Sequence, residues 1–595
     1  MASSQPADAS TIQTLTGLFF HVRDLSAGRP DLLTLRRGSR RETLSTADFL
    51  GGIHALVLAF ERRGLERGDR LAILSEGRPE WHQVDLACQI LGVVTVPIDP
   101  VASVERVGFV LRNSGAKWVV YGDSHQLEVL QELQPTLPRP VQRVSIDALD
   151  GADGLDLTRL LGEGATLRGS IALERYRDRT EPEDLATLLY TSGTTGDPKG
   201  VMLSQKNLVS SFLACDKAFP LEPSDRALSF LPLSHGLQRT LDHLCLFRGV
   251  AIHHVPDAAD VPDALREVQP TLLVAVPRVY ERAYRRTFEL LEKEPWWRRR
   301  FFPAAISIGV RYRAALRSGL VGPVLALERW LAELVVFRWV RRRFGGRMRF
   351  ALSGGGPLKP EIGELFGAVG LPIDQGYGLA ESSPVLAATA PRQRREGSVG
   401  KALEDVELRL SDDGEILARG PGVMLGYWEN PEATAESIDD SGWLRTGDVG
   451  RFDKSGYLYV TDRKEDLIEL AGGLRIAPLA IEQRLAGEGI LRALVVGDGR
   501  PELAALVVPD FEGWRDALGD ELSNAEVARH PEVRRKVGEH LARANEQASE
   551  GERLERFALL ERDFRPEEGE LTAGLKLRRR AIVQRWAERI AELYD

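Results

Sequence analysis

Short runs of β-branched and aliphatic residues alternate with longer stretches in which apolar positions recur every three or four residues. This pattern predicts a layered α/β sheet. Arg70-Leu-Ala-Ile-Leu74 follows a Gly-Asp turn and predicts a strand. Trp81 to Leu91 predicts an amphipathic helix, Gly92 to Pro97 the next strand, and Trp118 to Tyr121 another. The same rhythm returns at Ala227–Leu231, Ala251–His254, Thr271–Val276 and Arg349–Ser353. Pro295 to Arg347 breaks it, being long, helical in pattern and rich in Arg and Trp. Beyond it, Val406–Leu410, Glu415–Ala418, Gly450–Asp453 and Tyr457–Val460 predict short antiparallel strands. After Thr461 the pattern is that of a small α+β unit, with strands at Ile490–Val496 and Leu503–Val508 and a charged helix at Glu532–Glu550.

Composition narrows the class. A chain of 595 residues exceeds one core and should divide into two or more domains. Hydrophobic content of 43% and charged content of 28% belong to an ordinary globular protein, and a net charge of -9 argues against a general nucleic-acid binder. Cys88, Cys215 and Cys245 are far apart and form no CxxC pair, so neither a disulfide scaffold nor a cysteine zinc signature is expected, and a cytoplasmic setting is the default. The opening MASSQPADAS is polar and small; residues 1–14 predict a disordered tail without a signal peptide. With no run of about twenty uninterrupted apolar residues, no spanning helix is expected.

The densest chemistry lies in YTSGTTGDPKG, Tyr190 to Gly200. Thr191, Ser192, Thr194 and Thr195 offer hydroxyls, Lys199 a charge, and Gly193, Gly196 and Gly200 the backbone freedom that lets N–H groups converge on an anion. The apolar run through Leu185, Leu188 and Leu189 predicts a buried strand leading into this loop. The spacing is not that of GxxxxGK[ST]. The whole string instead resembles the phosphate loop of the AMP-forming, or adenylate-forming, enzymes: acyl-CoA synthetases, luciferases and peptide-synthetase adenylation domains.

Further motifs follow in the order which that resemblance implies. LPLSHGLQR places His235 after a strand, where acyl-CoA synthetases carry a histidine beside the acyl carboxylate. SGGGPL, with Gly355, resembles the segment lining the adenine and carboxylate sites. QGYGLAESSPV supplies Gln375, Gly376, Tyr377 and Gly378 to the nucleotide, Tyr377 as a face for adenine. Glu381 and Thr191 take the positions of the family's Mg²⁺ ligands. The residue before that glutamate is usually threonine, whose hydroxyl contacts the α-phosphate; here it is Ala380. Losing a hydrogen bond to a charged group costs about 1.5–3 kcal/mol, a slowing of about ten- to a hundredfold unless Ser382 or water substitutes. Asp448 and Arg463 match the ribose contacts, and Glu465 the hinge. Gly472, Gly473 and Arg475 belong to a loop resembling the one that enters during thioester formation, with Ala471 where serine is usual. Lys576 aligns with the catalytic lysine of adenylation.

The resemblance implies an α/β fold: a large layered N-terminal domain over residues 15–462, with mixed sheets and a small β-barrel-like subdomain, and a small mobile α+β C-terminal domain over 463–595. It implies ATP, Mg²⁺ and CoA, with a fatty acid activated as acyl-AMP and passed to CoA. Within the family the chain is most similar to long-chain fatty acyl-CoA synthetases, through LPLSHGLQR, VPRVYER (Val276 to Arg282), the helical insertion at about 295–347 and the ELTAGLKL ending. In that insertion Trp296, Trp297, Trp330 and Trp339 lie among arginines opposed only by Glu328 and Glu333. Two readings stand side by side: peripheral contact with an anionic membrane, or aromatics packed inward with solvated arginines. Two other functions also stand: an acyl-adenylate ligase that loads a carrier protein, and a degenerate acyl- or nucleotide-binding protein, to which Ala380 and Ala471 would point.

Overall fold

Two parallel-rich sheets share one hydrophobic core, and the helices between them have almost no solvent-facing side. The computed structural model describes residues 12–25, 28–149, 155–169, 171–191, 198–391, 393–487, 489–519, 521–546, 548–565, 567–571 and 577–594. The larger sheet runs Lys401–Ala402, Ala387–Ala388, Ile373–Tyr377, Phe350–Ser353, Leu272–Ala275, Arg226–Ser229, Ala251–His254, Leu33–Arg37 and Arg40–Leu44. Its six central strands, from Ile373–Tyr377 to Leu33–Arg37, are parallel. The second sheet runs Gly426–Tyr427, Gly200–Ser204, Leu185–Tyr190, Val94–Ile98, Arg70–Leu74, Trp118–Tyr121 and Gln142–Ser145. Strand Gly200–Ser204 is antiparallel to both of its neighbours, so the sheets are mixed, as expected. The expected β-barrel-like subdomain takes the form of a four-stranded antiparallel sheet, Glu407–Leu410, Glu415–Arg419, Leu444–Phe452 and Leu458–Arg463.

Helix Pro79–Leu91 touches strand Val94–Ile98 of one sheet and Leu33–Arg37 of the other. Every residue in it except Glu80 is buried. Helix Gly236–Arg248 is buried from Gln238 to Phe247. Such helices need their polar side chains satisfied internally. Arg239 and Asp85 do this for each other: Nη2 of Arg239 lies 2.7 Å from Oδ1 of Asp85, and Nη1 donates to Thr187 Oγ1 at 3.0 Å. Burial would raise the Asp85 carboxyl, but Arg239 and His243 outweigh it and hold the group well below the usual carboxylate range.

Element ends differ from the sequence reading for local reasons. The strand expected from Gly92 begins at Val94, because Gly92 (φ 74°) adopts the left-handed conformation that closes the preceding helix. The charged helix ends at Glu546, not Glu550, where the Asn545 side chain bonds the backbone N–H and C=O of Leu554. The strand expected at Gly450–Asp453 already starts at Leu444, since Arg445, Thr446, Gly447 and Asp448 hide it in polar sequence.

The segment after Pro295 is helical as expected: Trp296–Ser318, Pro323–Ala332, a π-helical turn Glu333–Phe337 and Arg338–Arg343. Its inner face carries Phe302, Ala305, Val336, Phe337 and Val340 into the core around Phe366. Gly309 lets it approach helix Pro360–Ala368, for a Cβ there would lie 2.4 Å from the Ala368 carbonyl oxygen. Among the described residues no helix is long and apolar enough to cross a membrane. The C-terminal strands Ile490–Val496, Leu503–Pro509 and Leu554–Leu559 build a separate sheet, and the core around them contains described residues from Ile468 onward only.

Replacing Arg239 by Ala leaves the Asp85 carboxylate buried without its partner and is expected to cost about 3–5 kcal/mol in chemical denaturation. Arg311→Ala, which removes an exposed pair with Glu328, should cost less than about 1 kcal/mol. Equal losses in the two variants would refute the ranking.

Candidate functional site

Strand Leu185–Tyr190 runs into the Gly/Ser/Thr loop and Gly200–Ser204 leaves it antiparallel, with Tyr190 opposite Gly200. The Thr191 N–H donates to the Lys199 carbonyl at 3.1 Å, which carries the strand pairing up to the start of the loop. Ser192, Gly193, Thr194, Thr195 and Gly196 lie outside the described residues, as does Lys576. Lys199 directs its ammonium over the Tyr427 ring, 4.9 Å from the centroid. The Tyr427 hydroxyl in turn donates to Glu381 Oε1 at 2.8 Å. One tyrosine thus joins the lysine of the loop to the expected metal-binding carboxylate. Tyr427 lies in a two-residue strand, which has no periodicity for a sequence reading to detect.

A second chain of contacts holds the expected ribose pair. Asp448 and Arg463 sit opposite each other on adjacent antiparallel strands, with Nε of Arg463 2.8 Å from Oδ1 of Asp448. The Tyr377 hydroxyl donates to Asp448 Oδ2, also at 2.8 Å. Its ring is buried, and this hydroxyl anchors the carboxylate, a contact that the aromatic motif alone did not foretell. Burial opposes the Arg463 charge, but Asp448, Glu465, Tyr377 and Glu381 outweigh it and raise its pKa. Glu381 thus adds to the field that favours the Arg463 charge.

His235 faces Gly355 of the triple-glycine segment: a Cβ built on Gly355 would stand 3.8 Å from His235 Nε2 and 4.0 Å from Val276 Cγ1. Gly355 has φ 77°, a conformation suited to glycine. The Gln375 N–H donates to Thr389 Oγ1 at 2.7 Å, and a Cβ on Gly376 would meet nothing closer than the Ala387 carbonyl oxygen at 3.9 Å. Gly378 is sterically required, since a Cβ would fall 1.9 Å from the Pro384 carbonyl oxygen. Ser382 accepts from the Leu379 N–H at 3.0 Å and donates to the Leu379 carbonyl at 2.9 Å. Its hydroxyl is committed to this buried turn and does not replace the hydroxyl missing at Ala380.

Sequence reasoning also missed Arg106, on helix Val104–Ser114. Its guanidinium donates to the carbonyls of Tyr190 and Thr191 at 3.3 and 3.2 Å, the point where the phosphate loop begins. One arginine in a charged helix carries no signal until tertiary structure gives it a neighbour. By contrast, Gly472, Gly473 and Arg475 form an exposed turn between the short strands Ile468–Glu469 and Arg475–Ile476. Arg475 pairs there with Glu469 at 3.0 Å, and nothing stands within 4 Å of a Cβ on either glycine. Glu465 occupies the short turn Lys464–Asp466, where the strand carrying Arg463 ends.

Comparison with known proteins agrees with this geometry. Residues 23–428 match the AMP-binding enzyme family, and residues 465–595 match the AMP-binding enzyme C-terminal domain. The chain is 34% identical over 560 residues to the long-chain-fatty-acid–CoA ligase FadD15 of Mycobacterium bovis, covering 93% of this chain and 92% of the relative. In fold it resembles ATP-bound MatB from Rhodopseudomonas palustris, with a TM-score of 0.71 at 22% identity over 96% of this chain and 99% of that one. It also resembles the o-succinylbenzoate coenzyme A synthetase MenE from Bacillus subtilis in complex with ATP and magnesium ion, with a TM-score of 0.66 at 22% identity over 95% and 98% of the two chains.

Asp462, beside Arg463, accepts from the Leu479 N–H at 2.8 Å and so ties the strand to the C-terminal unit. Burial pushes its carboxyl up to about 6. The native state then holds this proton more tightly than the unfolded chain does. The resulting stability is present at acid pH and is lost as pH rises from about 4 through about 6. In Asp462→Asn, which cannot ionise, the melting difference from wild type should shift in favour of the variant between about pH 4 and pH 8. A difference that does not change with pH would rule this out.

Proposed function

Because the chain belongs to the AMP-binding enzyme family, we propose that it is an ATP-dependent long-chain fatty acid–CoA ligase. It activates the fatty acid as acyl-AMP with release of pyrophosphate, then passes the acyl group to CoA with release of AMP. The observation that carries this reading is the likeness to the FadD15 ligase along nearly the whole of both chains, joined to a site where Lys199, Glu381, Asp448 and Arg463 converge. A carboxylate cannot expel oxide, so the acid must first be given a better leaving group. The attacking carboxylate and the α-phosphate are both anionic; two unit charges 4 Å apart repel by roughly 4 kcal/mol at an effective dielectric near 20.

The chain's own residues address that repulsion. Lys199, Lys576 and the loop amides lower the potential along the path of the attacking oxygen. Arg106 fixes the strand end from which the loop springs. Asp448, oriented by Tyr377 and Arg463, accepts the ribose hydroxyls. His235, held against Gly355, orients the acyl carboxylate by hydrogen bonding. Glu381 fits a magnesium ligand: it offers hard oxygen, Tyr427 holds one of its oxygens, and it forms no ion pair with any other described residue. When bound beside Thr191 and Glu381, Mg²⁺ would supply charge neutralisation at the phosphates. We assign residues 15–462 to the nucleotide- and acyl-binding domain and 463–595 to a lid turning near Glu465, consistent with the separate core after Ile468. The exposed Gly472–Arg475 turn then reaches the acyl-adenylate only in a second orientation of that lid.

The helical insertion is assigned to an anionic membrane surface. Its end, from Leu316 to Leu334, presents Leu320 (80% exposed), Val324, Leu327, Trp330 (56% exposed) and Leu331 to solvent. Arg317 and Arg311 flank this apolar tip. An exposed cluster of large apolar side chains beside cations suits the lipid interface where a fatty acid resides. Trp339 does not share that face, because its Nε1 donates to Glu294 at 2.6 Å.

The assay is AMP and thioester formation from ATP, Mg²⁺ and oleate, with and without CoA, beside Lys576→Ala. Oleoyl-CoA should form only with CoA, and the variant should lose about two orders of magnitude or more in rate. Pyrophosphate release without thioester would favour a carrier-protein ligase, and no turnover with any acid would favour a binding protein.

For the membrane assignment, the protein should float with vesicles containing phosphatidylglycerol and not with phosphatidylcholine alone. Leu320→Glu with Leu327→Glu should abolish flotation while oleate turnover in detergent persists. Flotation unaltered by the double substitution would sink the assignment.

A further inference from the structure

Away from the nucleotide residues, three ligand-bearing side chains meet inside the layer between the sheets. His82 comes from helix Pro79–Leu91, Asp242 from helix Gly236–Arg248 and His254 from the end of strand Ala251–His254. All three are 0% exposed. One ligand atom from each lies within 4.8 Å of the other two. His82 Nε2 is 3.1 Å from Asp242 Oδ2, close to the edge of about 3.3 Å expected for a tetrahedron with metal–ligand bonds near 2 Å. The two imidazole centroids are 5.2 Å apart and their planes are inclined by 43°, so the rings converge without stacking.

The hydrogen bonds around the cluster are unevenly distributed. Asp242 is firmly anchored: Ser229 Oγ donates to Oδ2 at 2.9 Å and Gln238 Nε2 to Oδ1 at 2.8 Å. Carboxylates that bind metals are commonly held in this way by outer hydrogen bonds. His254 has a partner at neither ring nitrogen among the described residues, and Gln238 Oε1, one helical turn before Asp242, is also unpartnered. A buried polar group without a partner costs about 1–3 kcal/mol, and native proteins leave few of them. His254 is thus a fully buried imidazole with a free lone pair, beside an anchored carboxylate and a second imidazole.

Two imidazoles and one carboxylate form a donor set for a borderline divalent cation. Mg²⁺ and Ca²⁺ prefer oxygen alone, and soft monovalent ions prefer thiolates. We infer that His82, Asp242 and His254 form a buried site for one divalent transition cation of the zinc type, with Gln238 Oε1 or water completing the tetrahedron. The site closes on itself away from solvent, so its role is structural. It ties together two helices and a strand from distant parts of the chain. No close spacing announces it: His82 and Asp242 are separated by 160 positions. It is independent of Glu381 and of the proposed ligase reaction.

The test is metal content of the full chain, produced in zinc-supplemented medium and purified without chelator. About one zinc per chain is expected for wild type and almost none for His254→Ala. His254→Gln serves if the alanine variant does not fold, because it fills the space without restoring the imidazole. Protein produced with cobalt should show the visible ligand-field absorption of a tetrahedral site, absent from the variant. An ordered water is the competing occupant; folded wild type free of zinc and cobalt would establish it and overturn the inference, as would equal metal content in wild type and variants.

Discussion

The pairing of Arg239 with Asp85 sets the condition under which the central layer can exist. Both side chains are essentially without solvent, and either charge alone would be prohibitively costly there. The guanidinium uses its fork fully, reaching Asp85, Thr187 and Thr95 together while lying over the Trp81 ring. These partners come from one helix and two strands of the smaller sheet, so the pair fixes helix Gly236–Arg248 against them. His235 occupies the N-cap position of that same helix, four residues before Arg239. The position of His235 is therefore set in part by a polar contact buried one helical turn away.

On the nucleotide side the same manner of anchoring recurs. Tyr427 and Tyr377 each place a hydroxyl on a carboxylate, Glu381 in one case and Asp448 in the other. In each case the phenol fixes the direction of the carboxylate. The C-terminal unit meets this edge through polar contacts, the Leu479 N–H on Asp462 and the Lys464 ammonium on Glu415. Its apolar core is its own. A seam of this kind can be remade in another orientation without exposing a hydrophobic core, which suits two chemical steps at one site.

The insertion shows how one composition can serve two environments. The arginines and tryptophans that invited two readings are divided by position. Trp339 and Arg343 turn inward to Glu294, whereas Trp330 and the leucines of the hairpin stay in solvent. Helical periodicity placed residues on faces, but which face met the core around Phe366 depended on the close approach at Gly309.

The sequence by itself determined the α/β alternation, most strand positions and the order of the motifs, and it pointed to Lys199, His235, Glu381, Asp448 and Arg463 as candidates. Those features depend on local spacing and on side-chain chemistry, both of which a linear chain records. It could not disclose Arg106, Tyr427 or the anchoring role of the Tyr377 hydroxyl, because each acts through a partner distant in sequence. Nor could it show that Ser382 is used up within its own turn. The meeting of His82, Asp242 and His254 was likewise decided only by tertiary structure, since packing two sheets around shared helices brings together groups that no spacing rule connects.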